Sequence, residues 1–138
     1  MRECKERYLP ECAYYEQSEQ PREFPYHHRD KERIACLRIV GIKDDAPVVL
    51  ATAHVNKARS SSASVHHAFV WIGSLQGYGK AGGYGYCKSS DAIADALYSM
   101  GFRFPKTNVG GSGLDRVHRA LAAAVRATGY DGKLWFDE

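Results

Sequence analysis

The sequence predicts an α+β protein, an antiparallel β-sheet followed by two C-terminal α-helices packed on one face. Three observations predict it. Residues 33–75 carry β-branched and apolar runs separated by turn residues; a glycine- and tyrosine-rich segment follows; and residues 89–129 change to helical periodicity. A chain of 138 residues is large enough for one core and too small for two. Residues 32–138 are therefore taken as a single α+β domain, preceded by an arm over residues 1–31.

That arm is charged and tyrosine-bearing, and Pro10, Pro21 and Pro25 punctuate it. Each proline disfavours helix in the residue before it, so a short helix at most and then an extended segment are expected. Tyr8, Tyr14, Tyr15, Phe24 and Tyr26 supply aromatic surface that disordered tails usually lack. The arm is expected to pack over the body or over a second subunit.

Arg33–Ile42 reads as the first strand of the sheet, Lys43–Pro47 as a turn, and Val48–Val55 as the returning strand. Asn56–Ser64 is polar, basic and without periodicity, so a mobile loop is expected. His67–Leu75 gives a third strand with Phe69 and Trp71 on one face and Val70 and Ile72 on the other. Two apolar faces imply a central strand or an interface on the second side.

Gly73–Tyr86 holds six glycines, three tyrosines and Lys80. Glycine has no side chain to bury and is costly to order, so this stretch is expected to stay out of the core. Two uses remain open: close backbone approach to a planar, anionic ligand, or a glycine-rich hairpin with a purely structural role. Gly77-Tyr-Gly-Lys-Ala-Gly82 fits G-x-G-x-x-G, but no helix opens directly behind it and no βαβ unit surrounds it. A dinucleotide fingerprint requires both.

The first helix is capped by Ser89 or Ser90, with Asp91 at its positive end. Ile93, Ala96, Leu97 and Met100 form its apolar stripe, and Gly101 stops it. The second runs from Ser112 to Gly129 and buries Leu114, Val117, Leu121 and Val125. Arg116, Arg119 and Arg126 fall away from that stripe. Lys133–Glu138 reads as a final strand or a docking segment.

Other chemistry is sparse. Nineteen basic and sixteen acidic residues leave a net charge of +3, too small to define a nucleic-acid binder but compatible with a local anion site. No apolar run approaches a membrane span, and the N-terminus lacks the apolar stretch of a signal peptide, so a cytoplasmic location is expected. Cys4, Cys12, Cys36 and Cys87 show no metal-ligand spacing. His66 and His67, adjacent in a strand, point to opposite faces and cannot share one site. No catalytic set, metal or cofactor is expected. Thr107–Gly113 leads into the second helix and offers either an anion site or plain capping, with Asn108 able to read a base edge or to close a turn. Phe102-Arg103-Phe104 can sandwich a base by stacking and cation–π attraction, or can simply pack.

Taken together, Gly77–Tyr86, the helix Ser90–Met100, the Asn108-Val-Gly-Gly link and the arginine-bearing helix Ser112–Gly129 resemble small phage proteins that counter bacterial immunity, the Thoeris anti-defence sponges of the first type. The resemblance covers residues 32–138 at the level of architecture. It implies a non-enzymatic homo-oligomer, dimeric or hexameric, in the bacterial host cytoplasm. Such a protein sequesters a cyclic nucleotide signal of the glycocyclic ADP-ribose type, and cyclic oligonucleotides in addition, without binding nucleic acid or membrane. By chemistry, the nominated ligand-binding residues are Tyr78, Lys80, Tyr84, Phe102, Arg103, Asn108, Arg116 and Arg119. Rival readings are a nucleic-acid module built on Lys57, Arg59, Lys80, Arg103 and Lys106, a nucleotide-processing enzyme, and a protein-interaction inhibitor.

Overall fold

The computed structural model describes residues 2–5, 14–15, 32–59, 64–83, 89–104 and 113–137. They form eight strands and two helices in chain order: β1 (Arg2–Glu3), β2 (Tyr14–Tyr15), β3 (Glu32–Lys43), β4 (Ala46–Arg59), β5 (Ser64–Ile72), β6 (Leu75–Gly83), α1 (Ser89–Ser99), β7 (Phe102–Arg103), α2 (Gly113–Ala127) and β8 (Trp135–Asp137). Six strands make one antiparallel sheet in the order β1-β8-β3-β4-β5-β6, while β2 and β7 pair separately. The predicted α+β class holds.

The β3–β4 ladder turns at Asp44 and Asp45, both in the left-handed region that short acidic residues tolerate. Apolar alternation then puts Leu37, Ile39, Ala53, Val55, Ala68 and Val70 on the face that the helices cover. From α1, Ile93, Ala96, Leu97 and Met100 fill that core; from α2, Val117, Leu121 and Val125. Gly101 and Gly129 end the two helices at positive φ, as their positions in the sequence suggest.

Three local expectations are corrected. Asn56–Arg59 and Ser64 lie in β4 and β5 and not in a loop, because the ladder continues from Asn56↔His67 to Arg59↔Ser64. Backbone pairing needs no apolar pattern, so polar residues extend the hairpin. The strand predicted to run to Leu75 ends at Ile72, and the chain reverses over Gly73 and Ser74. The glycine-rich stretch supplies β6, and Gly77, Tyr78 and Gly79 are buried, against the expectation that it stays out of the core.

The physical reason is helix approach. A Cβ built on Gly79 would meet Ala96 N at 2.2 Å and Ala92 O at 2.3 Å, and one on Gly77 would meet the Met100 side chain at 2.1 Å. Without those Cβ atoms, α1 lies backbone against backbone on β6, with Ala92 and Ala96 as its contact residues. The structural use of the glycines is thus the one realised at these two positions. The helix also seals the sheet edge. Asp95 Oδ2 accepts from the Lys80 backbone N–H at 3.0 Å, and Ser99 Oγ donates to the Tyr78 carbonyl at 3.0 Å.

The described parts of the N-terminal segment join the body by strand pairing: β1 with β8, and β2 with β7. Cys4 N–H donates to the Leu134 carbonyl at 2.8 Å and carries that attachment one residue further. The final strand β8 lies between β1 and β3, so both ends of the chain are built into one sheet.

Two glycine substitutions separate close approach from turn geometry. Gly79→Ala is expected to lower unfolding free energy by about 3 kcal/mol, because the new methyl meets backbone that cannot move aside. Gly73→Ala, with open space around its Cβ but φ at +60°, is expected to cost about 1 kcal/mol. Urea unfolding of the two variants checks the order.

Candidate functional site

The nominated residues do not form one cluster. In β6, Gly77 and Gly79 face α1, so Tyr78 and Lys80 point to the opposite side of the sheet. There Tyr78 hydroxyl bonds to His67 Nδ1, its ring lies 5.5 Å from Phe69, and His67 stacks on it at 5.7 Å. Tyr78 is a buried, hydrogen-bonded ring rather than an open stacking surface. His54 and Trp71 meet edge-on at 5.6 Å on the same face. Lys80 is exposed at its margin.

The other described nominees lie on the helical side. Phe102 is 1% exposed and is core, so it has no face to offer a ligand. Base stacking by Phe102 is therefore corrected to core packing, the outcome of its position directly after the Gly101 reversal. Arg103 extends to the surface, where its guanidinium lies 3.6 Å from the centre of the Tyr98 ring. Its Nη1 donates to the Tyr98 carbonyl at 2.7 Å and to the Phe102 carbonyl at 3.1 Å. The first bond satisfies a carbonyl in the last turn of α1, and the two together hold the guanidinium over the ring. Tyr98 is itself 60% exposed, an outward-facing phenol with a cation fixed against it. The aromatic partner expected for Arg103 exists, but it is Tyr98.

Arg116 and Arg119 are half-buried on α2. Arg116 Nη2 approaches Asp91 Oδ1 at 3.7 Å, and both side chains are about half exposed. Such a pair is worth about 0–1 kcal/mol, so Arg116 can exchange Asp91 for a stronger anion. Tyr84 and Asn108 lie outside the described residues, as do Cys87, Lys106 and most of the Thr107–Gly113 link.

Around Asp91, the first turn of α1 gathers groups that the sequence reading treated as caps or left unpaired. His66, on the core face of β5, is 6% exposed, and its Nδ1 lies 3.4 Å from Ser89 Oγ. Lys57 stands directly opposite His66 in the β4–β5 ladder, on the same face. Ser90 is 2% exposed and its hydroxyl makes no hydrogen bond. Sequence could separate His66 from His67 by alternation, but it could not bring His66 to the helix head without the ladder register.

Among the described residues, no three His, Cys, Asp or Glu side chains converge as a metal site, and no helix is long and apolar enough to cross a membrane. Comparison with family models, curated proteins and solved structures finds no match to this chain.

The Tyr78–His67 bond gives a test of the far face. Tyr78→Phe keeps the ring packed on Phe69 and removes one partly buried hydrogen bond, so unfolding free energy is expected to fall by about 1 kcal/mol. Thermal and urea unfolding measure it.

Proposed function

We propose that this protein captures a cyclic nucleotide signal of the glycocyclic ADP-ribose type and holds it chemically unchanged, as a phage-encoded sponge in the cytoplasm of a bacterial host would. The observation that carries the reading is the Tyr98–Arg103 stack on the helical side. A phenol ring that is largely exposed on one side and backed by a fixed guanidinium suits a planar base. Stacking of a base on such a ring contributes about 1–3 kcal/mol, and little side-chain freedom is lost because Arg103 is already pinned.

Nanomolar capture needs about 12 kcal/mol in all, so stacking alone is insufficient. The remainder falls to charge-assisted bonds with the ligand's phosphates, for which Arg116 is the nominated cation. In this reading no residue has a catalytic role, and the protein acts in stoichiometric amounts. The resemblance that suggests it also implies a dimer or hexamer.

The test is incubation of the full chain with a panel of cyclic nucleotides, native mass spectrometry of the complex, and heat release of the ligand. One cyclic ADP-ribose isomer is expected to be retained and released with unaltered mass. A converted product would make the protein an enzyme. Retention of no nucleotide, with affinity for single-stranded nucleic acid falling steeply with salt, would favour the nucleic-acid reading. Tyr98→Ala is expected to weaken retention at least about tenfold, and Tyr98→Phe to preserve it.

A further inference from the structure

We infer that the head of α1 is a phosphate seat, built from the helix N-terminus, the Ser90 hydroxyl, His66 and Arg116. The inference deepens the nucleotide reading and rests on it for the identity of the whole ligand. The seat itself rests on separate observations at the opposite end of α1 from Tyr98.

The first observation is the Ser90 hydroxyl. It is almost fully buried in the first turn of an eleven-residue helix, and it makes no hydrogen bond. A buried hydroxyl without a partner is destabilising, and native structures seldom keep one without a use. The helix turn that holds it also carries N–H groups with no intrahelical acceptor and the positive end of the helix dipole. An oxyanion there satisfies the hydroxyl and the N–H groups together.

The second observation is the company that this turn keeps. His66 lies against Ser89, Lys57 is its cross-strand neighbour, and Arg116 reaches the same turn from α2. β5 and α2 thus bring nitrogen-bearing side chains to one end of α1, and β4 carries a lysine in register with His66. Asp91 is the carboxylate in the group, and its loose pairing with Arg116 at 3.7 Å is the contact that a phosphate displaces. Its presence favours a multiply charged ligand, which competes for Arg116 better than a monoanion.

The seat and the Tyr98 ring stand apart along α1. Ser90 and Tyr98 are separated by about 12 Å along the axis at 1.5 Å per residue.

The experiment is calorimetric titration of the full chain with pyrophosphate, and with adenosine as the phosphate-free arm. Wild-type protein is expected to bind pyrophosphate, and Ser90→Ala and Arg116→Gln each to weaken it by about tenfold or more. Ser90→Ala is expected to leave the melting temperature of the free protein unchanged or raised, since it removes an unsatisfied buried hydroxyl. Adenosine binding is expected to respond to Tyr98→Ala and not to Ser90→Ala. No pyrophosphate binding at millimolar concentration, or wild-type affinity in Ser90→Ala, would overturn the seat. Failure of pyrophosphate with cyclic nucleotides still retained removes the seat and spares the sponge. Pyrophosphate bound as expected with no nucleotide retained keeps the seat and removes the sponge.

Discussion

The backbone-to-backbone contact between α1 and β6 is the constraint on which the rest of this structure depends. Helices normally stand off a sheet by the thickness of two side-chain layers. Here Gly77 and Gly79 remove one layer and Ala92 and Ala96 thin the other. The helix drops onto the sheet, and its first turn comes level with residues of β5. That is how Ser89 comes within reach of His66. Lift the helix by one methyl and the contact at its head opens as well. Packing and the candidate site are therefore one problem.

The same contact explains how the surface is divided. Leu75 packs against the core, while, with Gly77 and Gly79 facing α1, Tyr78 and Lys80 project from the other side of the sheet. Aromatic groups there pack on one another: Tyr78 with Phe69 and His67, and Trp71 with His54. Arg103, Arg116 and Arg119 lie on the helical side, whereas Arg38 projects from the other face near Asp137. The exposed Tyr98 ring lies on the helical side as well, with Arg103 held against it.

Much of the fold could be read from residue pattern. The stripe Ile93, Ala96, Leu97, Met100 and the stop at Gly101 define α1, and the turn chemistry of Lys43–Pro47 brackets the reversal at Asp44–Asp45, because periodicity and turn chemistry are local properties. What pattern missed is set by partners distant in sequence. Gly77 and Gly79 look like a loop until α1 lies on them. Asn56–Arg59 look mobile until β5 pairs with them. The site was less legible for the same reason. Arg103 was visible as a stacking cation, but its partner Tyr98 is an exposed helical residue that no stripe marks, and Phe102 beside it is core. Ser90 read as an ordinary cap, since its burial depends on the sheet beneath the helix.

One further property follows from the hydrogen bonds that Asp95 and Ser99 make to β6. The outermost strand of a sheet normally presents open amides and carbonyls on which another molecule can nucleate a shared ribbon. In this protein the adjacent helix occupies two of those groups itself. Crowded copies thus meet a border already closed at its centre.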